Sequence, residues 1–258
     1  MFILNNLFDL TGKVAVITGA SSGIGVQFAK ALADQGADIA ILARRYDKLE
    51  PLCKEIESTG RKVLAVRCDV TKEEDVKLAV KSIIDKFGKI DILMNNAGVT
   101  SIGSVDTLEE TEWDRIIDTN LKGVFLMSKH VVPHMKEQKY GKIINTASVC
   151  GLIGSKAIPL HAYNASKGAV IALTKGMGTS LAQYGITVNA IAPSLFESEM
   201  TEKSLFQSDY LKSYNMLCPA GRPGMTGELN GAAIYFASDA SSYTTAQILF
   251  VDGGWTSV

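Results

Sequence analysis

The chain has 258 residues, of which 47% are hydrophobic and 21% are charged, and its formal net charge at pH 7 is −1. A chain of this length and composition can bury a core without disulfides or a metal, and its balanced charge lacks the basic patch expected of a nucleic-acid-binding protein. Four widely spaced cysteines, Cys53, Cys68, Cys150 and Cys218, form no zinc or redox motif, and as free thiols they indicate a reducing cytoplasm.

The N-terminal segment, residues 1–11, is apolar but does not have the pattern of a signal peptide. It lacks a basic region, and Asn5 and Asn6 interrupt the apolar run. We therefore expect a short arm that packs beside the first strand. No stretch of the sequence reaches the roughly 20 apolar residues that a membrane-spanning helix requires, so we expect no membrane association.

Short aliphatic or β-branched runs alternate with longer helical patterns along the chain. The predicted strands are Val14–Thr18, Ile39–Leu42, Val63–Val66, Ile90–Met94, Lys142–Thr146, Thr187–Ala192 and Ile248–Val251. The predicted helices are Ile24–Gln35, Tyr46–Ser58, Lys72–Phe87, Glu112–Gln138, Ala162–Tyr184 and Met225–Ala237. Glycines suited to left-handed helix ends follow four helices, at Gly36, Gly60, Gly88 and Gly185. This alternation predicts a single α/β domain with a three-layer, doubly wound parallel sheet of about seven strands, of the Rossmann type.

A glycine-rich turn joins the first predicted strand to the first predicted helix. Gly19, Gly23 and Gly25 allow the backbone to turn tightly, to approach a pyrophosphate and to pack the helix on its strand. Ser21 and Ser22 add hydroxyl donors, and the helix start offers unpaired N–H groups to an anion. Because a strand precedes the turn and a helix follows it, a dinucleotide site is favoured over a turn that binds nothing.

The end of the second predicted strand bears on the choice between NAD(H) and NADP(H). Enzymes that use NAD usually carry a carboxylate there, which accepts from the ribose 2′-hydroxyl. In this chain Arg44 and Arg45 follow the strand, and the first carboxylate is Asp47. Two guanidinium groups would hold a 2′-phosphate, which favours NADP(H); the alternative is that both arginines lie on a solvated helix start.

One irregular region, residues 193–224, lies between a strand and the last helix and contains three of the six prolines. Loops that follow strand carboxyl ends carry the site in open α/β sheets, so we predict a substrate lid here. Phe196, Met200 and Phe206 would either cover an apolar substrate or anchor the lid to the core.

Tyr163 and Lys167 lie four residues apart in a predicted helix, which places both side chains on one face. The chain also contains TGASSGIG at 18–25, CDV at 68–70, NNAG at 95–98, Asn120, Ser148, YNASK at 163–167 and VDGG at 251–254. With these motifs the sequence resembles the short-chain dehydrogenase/reductase family over nearly its whole length. The resemblance implies hydride transfer between a nicotinamide cofactor and a carbonyl or alcohol.

The resemblance also implies roles for four residues. Tyr163 would be the general acid or base that exchanges a proton with the substrate oxygen. Lys167 would lower the pKa of this phenol and bond the nicotinamide ribose. Ser148 would hydrogen-bond the substrate oxygen, and Asn120 would hold a water that links Lys167 to solvent.

The residues expected to contact the cofactor, besides Tyr163 and Lys167, are Gly19, Ser21, Ser22, Gly23, Ile24, Gly25, Arg44, Arg45, Asp69, Val70, Asn96, Ala97, Gly98, Pro193 and Ser198. Asp69 and Val70 would flank the adenine, and Asn96 has an alternative interpretation as a purely structural residue. The family usually has Pro-Gly after the sixth strand and a threonine four residues beyond that glycine. Ser194 and Ser198 stand at these two positions here, which puts the conformation of the lid in doubt.

Three histidines and a cysteine have less specific interpretations. His130 and His134 have a spacing that can bind zinc, but residue 131 is Val and no HExxH glutamate is present, so we expect no metal site. His161 is expected at the surface, although it could reach the substrate. Cys150 would either line the substrate pocket or pack in the core.

The resemblance to the family does not determine which substrate the chain acts on. IDTNLKGVF, YGKIINTAS, YGITVNAIAP and FESEMT resemble segments of gluconate 5-dehydrogenase-like members and of 3-oxoacyl-acyl-carrier-protein reductases, and a hydroxysteroid or another ketone is a further alternative. A cofactor-binding regulator or a different Rossmann enzyme, such as a methyltransferase, is less favoured because Tyr163 and Lys167 are both present. Family members commonly form homotetramers or homodimers, in which helices near 112–138 and 162–184 pair and Trp255 would join a second interface.

Overall fold

A seven-stranded parallel sheet forms the centre of the structure, a computed structural model that describes residues 7–156, 158–197 and 209–258. The strands are β1 (Val14–Thr18), β2 (Asp38–Ala43), β3 (Val63–Arg67), β4 (Ile92–Asn95), β5 (Gly141–Thr146), β6 (Ile186–Pro193) and β7 (Ile248–Val251). Their order across the sheet is β3-β2-β1-β4-β5-β6-β7, and every pairing is parallel. The strand order reverses between β1 and β4, and such a reversal opens a crevice at the carboxyl ends of the strands.

Helices cover both faces of this sheet and complete the predicted three-layer α/β fold. They are α1 (Gly23–Asp34), α2 (Leu49–Ser58), α3 (Glu73–Phe87), α4 (Glu110–Ile117), α5 (Gly123–Gln138), α6 (His161–Leu181), α7 (Asp209–Leu217) and α8 (Asn230–Ala237). Ala15 and Ile17 of β1 pack with α1, α2 and α8, whereas Val14 and Val16 pack with α3 and α5. Both faces of the strand are thus buried, which explains why the strand is apolar at every position.

The glycines that were expected at helix ends adopt left-handed backbone conformations. The φ angles are +102° at Gly36, +80° at Gly60, +78° at Gly88 and +73° at Gly185. A side chain at such a position would be strained, so these four residues end their helices as the sequence predicted.

The predicted helix Glu112–Gln138 is wrong in detail, because the structure divides it into three segments. A π-helical segment, Asp118–Lys122, separates α4 from α5. The predicted helix Met225–Ala237 is also too long, since α8 begins only at Asn230 and Gly227 has a φ of +93°. Helix α7 lies in the region that was expected to be an irregular lid.

The N-terminal arm is described from Leu7 onward. Leu10 is fully buried, and its backbone N–H donates to the Gln35 carbonyl at 2.8 Å, which fixes the arm beside the end of α1. The Ala240 N–H donates to the Leu7 carbonyl at 3.2 Å. Among the described helices, none is long and apolar enough to cross a membrane.

Candidate active site

A cleft of about 630 Å³ opens at the carboxyl edge of the sheet. The predicted site residues that line it are Gly19, Ser21, Ser22, Gly23, Ile24, Arg44, Arg45, Asp69, Val70, Asn96, Ala97, Gly98, Ser148, Tyr163, Lys167 and Pro193. Two predicted residues, Gly25 and Asn120, do not line the cleft and are buried. Ser198, Met200 and Phe206 lie outside the described residues.

The glycine turn has the close backbone approaches that its sequence predicts. Gly19 and Gly23 have φ angles of +68° and +58°. A Cβ at Gly19 would lie 2.7 Å from the Ala97 Cα, and a Cβ at Gly25 would lie 2.7 Å from the Asn96 Nδ2 and would overlap the Gly19 carbonyl. The first turn of α1 contains no acidic residue, so its N–H groups offer an unopposed positive potential that fits a bound pyrophosphate.

Arg45 reaches back from the end of β2 to the glycine turn. Its Nη2 donates to the hydroxyl oxygens of Ser21 and Ser22 at 3.0 Å each. Arg44 is exposed and lines the same part of the cleft. A guanidinium group and two hydroxyls that converge on one point are donors suited to a phosphate monoester.

Asn96 combines a structural role with a place on the cleft wall. Its backbone N–H and that of Ala97 both donate to the Thr18 hydroxyl at 3.0 Å, and its Nδ2 donates to the Thr18 carbonyl at 3.1 Å. These bonds tie the end of β4 to the end of β1. Thr18 was not singled out from the sequence, although it directly precedes the first glycine of the turn.

Ser148, Tyr163 and Lys167 lie together at the end of β5 and on α6. Ser148 begins a 3-10 turn and accepts a hydrogen bond from the Cys150 N–H at 3.1 Å. The Lys167 Nζ lies 5.6 Å from the centre of the Tyr163 ring and donates to the Thr146 carbonyl at 2.6 Å. Gly151 lets this turn pack on α6, because a Cβ there would lie 2.7 Å from the Lys167 carbonyl carbon.

Burial shifts the pKa values of Lys167 and Tyr163 in opposite directions. Burial lowers the pKa of Lys167 from 10.5 to about 8, and the nearby Cys150 only partly opposes this shift. Burial raises the pKa of Tyr163 above its usual value, with a further increase from Cys150 and an opposing hydrogen bond from Ser148. The shift of the phenol is opposite to the expected lowering, because burial is its largest cause and the Lys167 ammonium group donates to the Thr146 carbonyl.

Asn120 is held by protein atoms on every side. Its Oδ1 accepts from the Val99 N–H at 2.8 Å, and its Nδ2 donates to the Val99 carbonyl at 2.9 Å and to the Ser166 hydroxyl at 3.0 Å. It lies in the π-helical segment between α4 and α5, and such segments often occur at functional sites. The water path through Asn120 remains a prediction.

The described part of the predicted lid bears on Ser194 and Phe196. The Ser194 backbone does not occupy the left-handed region, so serine meets no strain at a position where the family usually has glycine. Its hydroxyl lies 2.8 Å from the Tyr214 hydroxyl. Phe196 lines the cleft but is 4% exposed and packs in the core against Gly224, so it anchors this segment to the core.

His130 and His161 do not line the cleft. His130 Nε2 is 3.0 Å from the Glu73 Oε1, and His161 Nδ1 accepts from the Val105 N–H at 2.9 Å near the start of α6. Within the described ranges, no cluster of histidine, cysteine and carboxylate side chains is arranged to hold a metal ion.

Several cleft residues were missed by the sequence analysis. Thr146 matters through its backbone carbonyl, which side-chain patterns do not report. Arg115 also lines the cleft; its guanidinium is paired with Glu112 at 2.9 Å and donates to the Thr100 carbonyl at 3.2 Å. No motif in the sequence marks this arginine.

Comparison with known proteins gives consistent matches. The profile described as short chain dehydrogenase matches residues 13–208. The chain is 38% identical to gluconate 5-dehydrogenase of Gluconobacter oxydans, with 97% of each chain covered. It is 40% identical to a 3-oxoacyl-acyl-carrier-protein reductase of Staphylococcus epidermidis, covering 94% of this chain and 98% of the relative. A crystal structure of a gluconate 5-dehydrogenase from Burkholderia cenocepacia, in complex with NADP and tartrate, superimposes with a TM-score of 0.93 at 38% identity and covers 98% of both chains.

Proposed function

The chain belongs to the short-chain dehydrogenase/reductase family, and from this premise we propose that it interconverts a small hydroxylated ketone and its secondary alcohol with NADP(H). Membership makes it an NAD(P)-dependent oxidoreductase. The observation that carries the proposal is one cleft lined both by the glycine turn with Arg45 and by Ser148, Tyr163 and Lys167.

The residues of this chain would divide the reaction between them. A bound nicotinamide supplies or accepts the hydride. Ser148 would orient the substrate oxygen by a hydrogen bond, and Tyr163 would give its phenolic proton to that oxygen during reduction and take it back during oxidation. Lys167, held at the Thr146 carbonyl, would stabilise negative charge on the phenol as the proton leaves.

The Tyr163→Phe variant tests this chemistry. We expect kcat to fall by about 10²–10⁴-fold, because the proton donor is lost while the ring is retained. Binding of NADPH, followed by its fluorescence, should persist. Full turnover by this variant would contradict the assignment of Tyr163.

The preference for NADP(H) is supported by the contacts of Arg45 with Ser21 and Ser22. We expect Arg45→Ala to weaken NADPH binding by about 10–100-fold, the loss typical of a hydrogen bond to a charged group. Arg44→Ala should weaken it as well, whereas Kd for NADH should change little. Arg67→Ala, an exposed position at the end of β3, serves as the control. A wild-type enzyme that is clearly faster with NADH would contradict this proposal.

We place a sugar-acid ketone such as 5-ketogluconate first among substrates, with gluconate as the corresponding alcohol. The resemblance to gluconate 5-dehydrogenases and the tartrate bound by one of them support this choice. A 3-oxoacyl thioester is the second candidate, supported by the 40% identity to a reductase of that class. Arg222 is an unsuitable carboxylate clamp, because both of its terminal nitrogens pair with Glu228 at 2.8 Å.

An NADPH-oxidation screen across 5-ketogluconate, an acetoacetyl thioester, a ketosteroid and simple ketones separates these candidates. We expect the highest kcat/KM with the hydroxylated ketone. Faster turnover of the thioester would favour the second candidate. NADPH binding without turnover of any compound would instead favour a cofactor-binding regulator.

We also propose a homotetrameric assembly in the cytoplasm. One face of α6 exposes or half-exposes small residues that allow close helix approach: Ala165, Gly168, Ala169, Ala172 and Gly176. The four cysteines are all free thiols, which supports a reducing compartment.

A further inference from the structure

The hydroxyl of Ser148 is held by two hydrogen bonds to the protein backbone. Its Oγ accepts from the Cys150 N–H at 3.1 Å and donates to the Pro193 carbonyl at 3.4 Å. The first bond lies within the turn that follows β5, whereas the second crosses to the end of β6. The direction of the Ser148 hydroxyl therefore depends on how the end of β6 is held.

Ser194, the residue directly after Pro193, fixes that end of the strand. Its backbone N–H donates to the Val251 carbonyl of β7 at 3.3 Å, and its hydroxyl lies 2.8 Å from that of Tyr214 on α7. Ser194 also forms part of the cleft wall. A glycine at this position would lack the bond to Tyr214, because it has no side chain.

Tyr214 is a firm support for this bond. It is 2% exposed, and its ring stacks on Trp255 with 4.5 Å between ring centres and an interplanar angle of 18°. Trp255 begins a C-terminal turn in which the Asp252 carboxylate accepts from the Thr256 N–H at 2.9 Å. An aromatic pair that is already ordered loses little further conformational freedom when it makes a hydrogen bond.

A second contact fastens α7 to the C-terminal segment. The thiol of Cys218, one helical turn after the tyrosine, lies 3.8 Å from the Asp252 carbonyl and 3.6 Å from the Gly253 carbonyl and donates to them. Helix α7 is thus anchored independently of Ser194, so the bond between the two hydroxyls holds the end of β6 in place.

We propose that Ser194 and Tyr214 are positioning residues whose hydrogen bond holds the Pro193 carbonyl and thereby sets the direction of the Ser148 hydroxyl. This inference rests on the proposed function, in which Ser148 orients the substrate oxygen. It adds a support that extends from the C-terminal segment through α7 to the cleft.

Ser194→Ala and Tyr214→Phe each remove one hydroxyl of the pair. With the ketone that the wild-type enzyme reduces fastest, we expect each variant to lower kcat by about 3–10-fold, the range that one hydrogen bond supplies. KM for that ketone and Kd for NADPH should stay within about twofold, because the Ser148 contact strengthens in the transition state. The double variant should be no slower than the slower single variant, since both remove the same bond.

Ser213→Ala and Tyr184→Phe are the matched controls and should retain the wild-type kcat. Both residues are exposed, Ser213 beside Tyr214 on α7 and Tyr184 in the turn after α6. Melting temperatures identify any variant that loses the fold, and Ser194→Gly, which adds no atom, then takes its place.

A Ser148→Ala background tests the path through Ser148, which a merely structural role would not need. Hydride transfer in a single turnover, with enzyme in excess, measures the low rate of this background. Adding Ser194→Ala or Tyr214→Phe should lower that rate by less than about twofold, because the hydroxyl that they position is already absent. A further loss as large as in the wild-type background would overturn this inference.

An unchanged kcat in Ser194→Ala and Tyr214→Phe, with Tyr163→Phe inactive, would overturn this inference alone, as would a loss confined to KM or to Kd for NADPH. A wild-type enzyme that reduces no ketone would overturn the proposed function, and this inference with it.

Discussion

Lys167 is an amine that is 4% exposed at the base of a cleft, where its charge has lost most of its hydration. A lysine in this environment holds its proton less firmly than one in water, and its pKa falls to about 8. Burial shifts the pKa of Tyr163 in the opposite direction, because its charged form is the deprotonated one. Burial therefore keeps the phenol protonated at neutral pH, which is the state that reduction requires.

The pH dependence of catalysis follows from the opposite pKa shifts of Lys167 and Tyr163. The kcat/KM for reduction should be constant between about pH 6 and pH 7 and fall above about pH 8, where the free enzyme loses the Lys167 charge. The kcat/KM for oxidation should rise with pH up to about pH 8, because the small fraction of Tyr163 that has lost its proton and can act as a base grows with pH. Initial rates in both directions measure this, and a reductive profile that stays flat to pH 9.5 would contradict it.

At individual positions, the sequence predicted those side chains that follow strand ends or share a helix face. Ser148, Tyr163 and Lys167 lie on the same cleft because parallel strands end at one edge of the sheet. Thr146 escaped prediction because its contribution is a carbonyl. Arg115 escaped because its place on the cleft depends on how α4 packs, which no local pattern encodes.

Among the elements, the turn between β1 and α1 depends on space that only glycine leaves free. We expect Gly25→Ala to destabilise the fold by about 1–3 kcal/mol, as overpacking commonly does, and to weaken NADPH binding. A methyl group there would overlap the Gly19 carbonyl and approach the Asn96 amide.

Gly231→Ala is the matched control, because a Cβ at this exposed position of α8 meets nothing within 4 Å. It should stabilise the protein by roughly 0.5–1 kcal/mol through helix propensity. Thermal unfolding and NADPH titration of both variants make the comparison. Equal stability of the two variants would contradict the steric argument.

The sequence predicted all seven strands to within a few residues, yet it did not reveal the break between α4 and α5. The apolar periodicity continues through residues 118–122 without glycine or proline. The π-helical segment instead coincides with the bonds of Asn120 to Val99 and Ser166, which are tertiary contacts. Helix α7 was missed for a related reason, since its one buried residue, Tyr214, is held by tertiary contacts with Ser194 and Trp255.

At the scale of the whole molecule, the face of α6 that carries small residues predicts that copies of the chain pair through this helix. We expect Ala172→Arg to lower the molecular mass in solution from that of a tetramer to that of a dimer or monomer, because a long charged side chain would separate paired helices. Light scattering after gel filtration measures this. Ser58→Arg on α2, in the opposite layer, adds the same charge and should leave the mass unchanged. A tetramer that persists in Ala172→Arg would exclude pairing through this face.

The central position of β1 also has a consequence for the order of folding during synthesis. β1 is the first strand to leave the ribosome, but its second neighbour, β4, begins only at Ile92. Until then only three of the seven strands, β1, β2 and β3, can pair, and the edge of β1 that later bonds to β4 stays unpaired. Translation through residues 19–91 is therefore the period in which the nascent chain is most exposed to pairing with a second copy.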